Sequence, residues 1–348
     1  MIVDLGGRAV GPGRPTFVIA EAGVNHNADV DLAERLVDAA AASGADAVKF
    51  QTWITEKLIR PETPMAEYQA QNTGSADSQF TMLKRLELSR PAFRRLKAYA
   101  DRRGILFLST PDEEESSDFL EELGVAAFKI GSGELTNLPY LAHLARKGKP
   151  LILSTGMGDL DEVRAAVQTI RTHGDPPLVL LHCVSNYPTE PADCNLTCLA
   201  TLRDAFGLPV GFSDHTVGLA VPLAAVALGA CMIEKHLTLD RALPGPDHLV
   251  SATPEELREL VAGIRAVEAA RGDGIKMPRP GEVPTRALVR KSLVARHAIA
   301  RGAVLDAAAV IALRPGTGIA PGELPRVVGR RARRDIAAGE SLAWDALE

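Results

Sequence analysis

Short apolar runs rich in β-formers alternate with amphipathic helical stretches eight times before about residue 272, and this alternation constrains the fold more than any other feature. The runs are FVIAEAG (17–23), ADAVKFQ (45–51), ILFLST (105–110), VAAFKIGS (125–132), PLILST (150–155), PLVLLHC (177–183), LPVGFSD (208–214) and CMIEKH (231–236). Between them lie helical patterns such as DVDLAERLVDAAAAS, GDLDEVRAAVQTIRTHG and TPEELRELVAGIRAVEAARG, with acidic starts and, in several cases, a closing glycine. A strand apolar on both faces must be covered on both, which suits parallel sheets with crossover helices. Eight such units predict an α/β fold, a (β/α)8 TIM barrel. An open doubly wound sheet is the alternative, because periodicity does not show closure. The lack of a GxGxxG after the first strand weakens its dinucleotide-binding version.

The chain divides by composition. Residues 1–274 carry the alternation, 275–285 include KMPRPGEVPT with three prolines in ten residues, which reads as a stiff linker, and 286–348 form a tail. The tail repeats itself: Ile299-Ala-Arg-Gly302-Ala-Val-Leu305 and Ile336-Ala-Ala-Gly339-Glu-Ser-Leu342 stand 37 residues apart. A turn-rich module of this size is marginal alone and is expected to dock on something. A long polar connection, 54–88, follows the second strand, and a loop of that length is usually functional or disordered.

With 46% hydrophobic residues, 24% charged and a net charge of −5, the 348-residue chain is globular. It has no long Lys/Arg block, so a small molecule is expected as partner rather than nucleic acid or an anionic membrane. Four sparse cysteines without a CxxC pair read as reduced thiols. The start, MIVDLGGRAVGPGRP, lacks the apolar core of a signal peptide, and a cytoplasmic location is expected. Val217 to Ile233 carries no charge but contains Pro222 and two glycines, and reads as a buried helix followed by a strand rather than a membrane span.

In a barrel the chemistry sits at the carboxyl ends of the strands. There the sequence places Glu21, Lys49, Thr110, Lys129 with Ser132, Ser154, His182 with Ser185, Ser213 with His215, and Glu234 with His236. Lys49 and Lys129 interrupt apolar strands, where an ammonium needs an anionic partner. That partner is either an internal carboxylate, Glu21 or Glu234, or a bound phosphate or carboxylate cradled with the hydroxyls and the GSG backbone at 131–133. His215 and His236 follow adjacent strands about 4.8 Å apart, a spacing compatible with one shared divalent ion. His26, in the loop after the first strand, is left open.

The stretches IAEAGVNHN, AVKFQTW, LSTP, FKIGSGELTN, LILSTGM, LLHCVSNYPT, GFSDHTVG, IEKHLTLD and GPDH, in this order, resemble the sialic acid synthase family, and the tail, with RPGTGI at 314–319, resembles its antifreeze-like SAF (β-clip) domain. The resemblance implies condensation of phosphoenolpyruvate with N-acetylmannosamine or a related acetamido sugar, giving a nine-carbon 2-keto acid and phosphate. Lys49, Thr110, Lys129, Ser132, Ser154, Ser185 or its neighbour Asn186, and Ser213 would hold phosphoenolpyruvate. His215 and His236 would bind Mn2+ or Mg2+; Glu21, Tyr187, Asp247 and Arg314 would meet the sugar, Asn72 would bind substrate, and Glu234 or Glu21 would help water add. Family members are domain-swapped homodimers in which the tail closes the partner's barrel. Relatives make neuraminate, legionaminate or pseudaminate, and LPGPDH looks closer to the first two; 2,4-diacetamido-2,4,6-trideoxymannose is therefore the alternative sugar. A Schiff-base aldolase using Lys49 or Lys129, or a degenerate sugar-binding barrel, are readings of other classes.

Overall fold

Each apolar run becomes a strand of one eight-stranded sheet in a computed structural model, which describes residues 1–75 and 77–348. The strands are β1 (Phe17–Gly23), β2 (Ala47–Thr52), β3 (Leu106–Pro111), β4 (Phe128–Ile130), β5 (Leu151–Ser154), β6 (Leu178–Cys183), β7 (Val210–Asp214) and β8 (Met232–His236). Their order is β3-β2-β1-β8-β7-β6-β5-β4, all paired parallel, with β3 in turn in contact with β4. Because β1 lies beside β8, the sheet wraps into a barrel rather than opening at a switch point.

The outer helices are α1 (Val30–Ala42), α2 (Arg90–Arg103), α3 (Glu114–Leu123), α4 (Leu138–Arg146), α5 (Leu160–Thr172), α6 (Cys198–Phe206), α7 (Ala220–Ala227) and α8 (Pro254–Arg271). Their starts follow local chemistry. The Asp159 carboxylate accepts from the first-turn amides of α5 while Glu162 reaches back to the Asp159 N–H, and Thr253 with Glu256 does the same for α8. The uncharged stretch after Val217 forms α7 and then β8, and no helix among the described residues is long and apolar enough to cross a membrane.

Strand period sorts the side chains into two layers. Phe17, Ile19, Ala47, Leu108, Ile152, Val179, Leu181 and Met232 point into the barrel, and alternate residues such as Val18, Val48, Phe107 and Phe128 pack against the helices. A feature the sequence reading missed is the hairpin of Val3–Leu5 and Arg8–Val10, whose Val3, Leu5 and Val10 join the inner layer and plug the amino-terminal end of the barrel. The connection 54–88 is also more ordered than expected. It contains short helices at Thr55–Leu58, Glu67–Thr73 and Gln79–Leu86, held by a satellite core of Val24, Trp53, Met82 and Leu86.

The first unit ends at Gly272 and the second runs from Asp273 to Glu348. Within the second, the proline-rich stretch holds a turn of 3-10 helix at Pro280–Glu282 and leads into a helix at Val283–Val289. Its antiparallel strands, Ser292–Ala295 and Val310–Leu313, are joined through the first copy of the repeat, which pairs with the second copy further along the chain. The Ile299 and Ile336 N–H groups each donate to the other's carbonyl at 2.9 Å, Gly302 and Gly339 take matching left-handed turns at φ 78° and 81°, and Leu305 and Leu342 enter the same core.

Candidate active site

One step beyond the inner apolar layer, the same alternation turns Glu21, Lys49, Thr110, Lys129, Ser154, Ser213 and Glu234 into the mouth of the barrel, where they line a cavity of about 500 Å³. On β8 the alternation separates neighbours of similar character. Glu234 and His236 face the cavity, whereas Lys235 is buried in a 2.7 Å ion pair with Asp214.

The charges form a chain. Lys49 Nζ lies 2.9 Å from Glu21 Oε2, donates to Thr110 Oγ1 at 2.9 Å and stands 3.7 Å from Glu234 Oε2. Lys129 Nζ donates to Ser154 Oγ at 2.7 Å and to the Ile130 carbonyl at 3.0 Å, and stands 3.7 Å from Glu234 Oε1, which also accepts from Ser213 Oγ at 3.0 Å. Both lysines thus have the internal carboxylate partners that the sequence left as one option. Burial raises a carboxyl pKa, and a nearby ammonium lowers it. For Glu21 burial prevails over Lys49, aided by the charge of Glu234, and its pKa is shifted upward. For Glu234 burial is outweighed by Lys129 and Lys49, and it is held below its ordinary value. The site therefore offers one carboxyl that favours its proton and one that stays ionised, the usual division between acid and base. Burial lowers the pKa of Lys129, opposed by Glu234; for Lys49 the two glutamates overcome burial and raise it.

Beside Lys129 three strand-end loops converge on Gly156. Its N–H donates to Ser132 Oγ at 3.0 Å, and a Cβ on this glycine would come within 2.7 Å of Ser132 Oγ and closer still to Ser185 Oγ. The hydroxyls of Ser132, Ser154 and Ser185 and the Lys129 ammonium, facing one space, form a cradle for a tetrahedral anion.

Across the cavity the His215 and His236 rings lie 5.4 Å apart, centre to centre. His215 Nδ1 lies 2.7 Å from the Val184 carbonyl; donating there leaves Nε2 as a free lone pair in the neutral ring. Burial first, then the neighbouring His215, push His236 well below its ordinary pKa, so its ring is neutral, and its buried Nδ1 has no hydrogen-bond partner. Burial lowers the His215 pKa, but Cys183 Sγ, 3.9 Å from its Nδ1, and the Val184 carbonyl raise it overall. Among the described residues no group of three or more His, Cys, Asp or Glu is arranged to hold a metal. The donor set is instead two imidazoles, with Asp247 Oδ2 3.6 Å from His236 Nδ1, which with His215 deprotonated fits a divalent ion whose other ligands are oxygens of water or substrate. Tyr187 packs on His215 with centroids 4.0 Å apart, and Tyr68 stacks on Tyr187 at 4.8 Å.

Other expected residues fall elsewhere. Asn72 spends its amide N–H on the Pro246 carbonyl at 2.7 Å, tying the 54–88 segment to the loop of Asp247. Ser185 lines the cavity, whereas Asn186 is exposed and outside the lining. Arg314 is exposed on a loop of the second unit. His182 bonds the Cys194 carbonyl at 2.7 Å, and His26, fully buried, accepts from the Ala28 N–H, its pKa driven down to about 4 by burial. The sequence reading missed Gln51, Asp112, Cys183, Tyr68, Gln69 and Gln79, all in the lining. Gln51 and Cys183 follow from the strand period, two residues beyond Lys49 and Leu181. Asp112, whose pKa burial and then Glu134 raise to about 7, and the three residues of the long connection carry no such signal.

A barrel with ammonium groups, carboxyls and paired imidazoles converging on one cavity at the carboxyl ends of its strands is a (β/α)8 enzyme acting on a small anionic substrate. The chain belongs to the NeuB family, whose model matches residues 36–276, and a SAF domain model matches residues 290–348. It is 51% identical to the N,N'-diacetyllegionaminic acid synthase of Legionella pneumophila, over 95% of this chain and 94% of that protein. It is 37% identical to the human N-acetylneuraminate-9-phosphate synthase, over 98% and 95%. The crystal structure of an N-acetylneuraminic acid synthetase from Leptospira borgpetersenii, in complex with citrate, superposes with a TM-score of 0.73 at 35% identity, covering 82% of this chain and 95% of that one. This chain is accordingly a transferase of the sialic acid synthase type.

Proposed function

We propose that the enzyme condenses phosphoenolpyruvate with 2,4-diacetamido-2,4,6-trideoxymannose, N-acetylmannosamine being the second sugar, to give a nine-carbon 2-keto acid and phosphate. The observation that carries this reading is the array of Lys49, Lys129, Glu21 and Glu234 facing the imidazole pair across one cavity. The similarity to a diacetyllegionaminic acid synthase supports the choice of sugar.

Lys129, Ser132, Ser154, Ser185 and the Gly156 loop receive the phosphate, and Lys49 with Thr110 and Ser213 orients the enol ester. His215 and His236 would hold Mn2+ or Mg2+, which when bound polarises the aldehyde oxygen of the open-chain sugar. C3 of phosphoenolpyruvate bonds to the aldehyde carbon, and Glu21, whose environment favours its proton, protonates the resulting alkoxide. Positive charge develops at C2 beside ionised Glu234, which accepts a proton as water adds there. The tetrahedral adduct then breaks its C2–O bond to phosphate as its hydroxyl proton passes to the departing phosphate, leaving the 2-ketone, while Lys129 and the hydroxyls stabilise the departing charge. The proton taken up by Glu234 is released and Glu21 regains one before the next turnover. Incubation with phosphoenolpyruvate, Mn2+ and each sugar in turn is expected to release one phosphate per keto acid formed. Release with neither sugar overturns the reading.

The same proposal includes a domain-swapped homodimer in which Arg314 of one chain reaches the sugar in the other's barrel. Exposed Arg314 and the exposed apolar side chains Ile275, Met277, Val283 and Leu288 support it. Mixing Arg314→Ala chains with Glu234→Ala chains, each inactive alone, is expected to restore part of the activity. Mixed dimers without activity would refute the exchange.

A further inference from the structure

Gln69 and Gln79 line the cavity, and the function just proposed assigns them nothing. Their amide orientations follow from one unambiguous donor. The Ala66 backbone N–H points at the outer atom of Gln69 at 3.0 Å, so that atom is Oε1. Gln79 meets the same oxygen at 3.0 Å and must do so with Nε2. The remaining atoms are then fixed in kind: Gln69 presents N–H, and Gln79 presents C=O. Among the described residues Gln79 Oε1 makes no further hydrogen bond, and the Gln69 amide nitrogen, which carries two N–H groups, directs one at the Tyr68 hydroxyl and keeps the other. Leu58 and Ala66 line the same side of the cavity with small apolar surface.

A separate donor and acceptor next to an apolar wall complement a secondary amide carrying a methyl group: its C=O takes the Gln69 N–H, its N–H meets Gln79 Oε1, and the methyl lies on Leu58 and Ala66. A carboxylate has no donor for Gln79. Position within the cavity distinguishes two possible acetamido groups. The C2 substituent sits on the carbon next to the aldehyde carbon and must lie beside the imidazoles. Gln69 follows Tyr68, which is a second aromatic layer beyond His215, with Tyr187 between them. The group it meets belongs further along the sugar chain. We infer that Gln69 and Gln79 form the subsite for a second acetamido group at C4 of the sugar, and that they select diacetamido over monoacetamido substrates. This rests on the synthase reading above.

The test is steady-state phosphate release by the full-length enzyme with 2,4-diacetamido-2,4,6-trideoxymannose and with N-acetylmannosamine. It compares wild type, Gln79→Leu, and Gln69→Glu, which keeps an oxygen for the Ala66 N–H but removes the donor. The ratio of kcat/KM for the diacetamido sugar to that for the monoacetamido sugar is expected to fall about tenfold or more in both variants, since each leaves an amide group of that sugar unpaired. Equal losses with both sugars, leaving the ratio unchanged, would mean that the glutamines only hold the loop, and would overturn the subsite. So would a wild type that prefers N-acetylmannosamine. A wild type releasing phosphate with neither sugar fails at the earlier step, the synthase reading itself.

Discussion

The double variant His215→Ala/His236→Ala is expected to lose about a thousandfold or more in kcat, and the wild type in excess chelator to fall as far and recover with Mn2+ or Mg2+. Polarising the aldehyde with a divalent ion is worth several kcal/mol of transition-state stabilisation. These are two imidazoles 5.4 Å apart, one held at its Nδ1 by the Val184 carbonyl and the other neutral through burial. Titration of Mn2+ into the protein without substrates gives an independent reading, with binding present in the wild type and lost in the double variant. Full turnover in chelator, or undiminished Mn2+ binding by the variant, would remove the pair from the chemistry.

Lys129→Met is expected to raise KM for phosphoenolpyruvate about thirtyfold or more while changing KM for the sugar much less. Removing one partner of a buried charge pair costs on the order of 2 kcal/mol or more. In the proposed reaction the lost ammonium would meet the incoming phosphate, and it also faces Glu234, 3.7 Å away. The variant also has a pH signature. Lys129 is the foremost opponent of the rise that burial imposes on Glu234, so its loss raises the Glu234 pKa. A step that needs ionised Glu234 then fails at a higher pH, and the acid limb of the rate profile moves toward neutral. If the rate, the KM for phosphoenolpyruvate and the acid limb all stay in place, Lys129 is only a structural partner of Ser154 and Glu234.

The barrel was legible because its information is local. Apolar runs, acid-led helices and glycine ends recur at the length of a strand and a helix, and the right-handed crossover rule orders them. Strand period also told inward residues from outward ones. Two residues on β8, Glu234 and His236, share a face, and Lys235 between them does not; in the structure it pairs with Asp214. The hairpin plug was missed because three-residue strands are too short to show a period.

Sequence alone therefore determined the eight βα units, the inward polar ring at their carboxyl ends and the repeat in the tail. Tertiary structure decided the electrostatics and the shape. Closure brings Lys49 on β2 and Lys129 on β4 each to 3.7 Å from Glu234 on β8, and only then do the two glutamates separate in proton affinity. It likewise folds the 54–88 segment over the mouth, setting Tyr68 on Tyr187 and turning the amides of Gln69 and Gln79 toward the cavity. A strand's period is a property of consecutive residues, whereas a pKa shift or a paired donor and acceptor depends on distances between residues far apart in the chain, and those distances exist only once the barrel has closed.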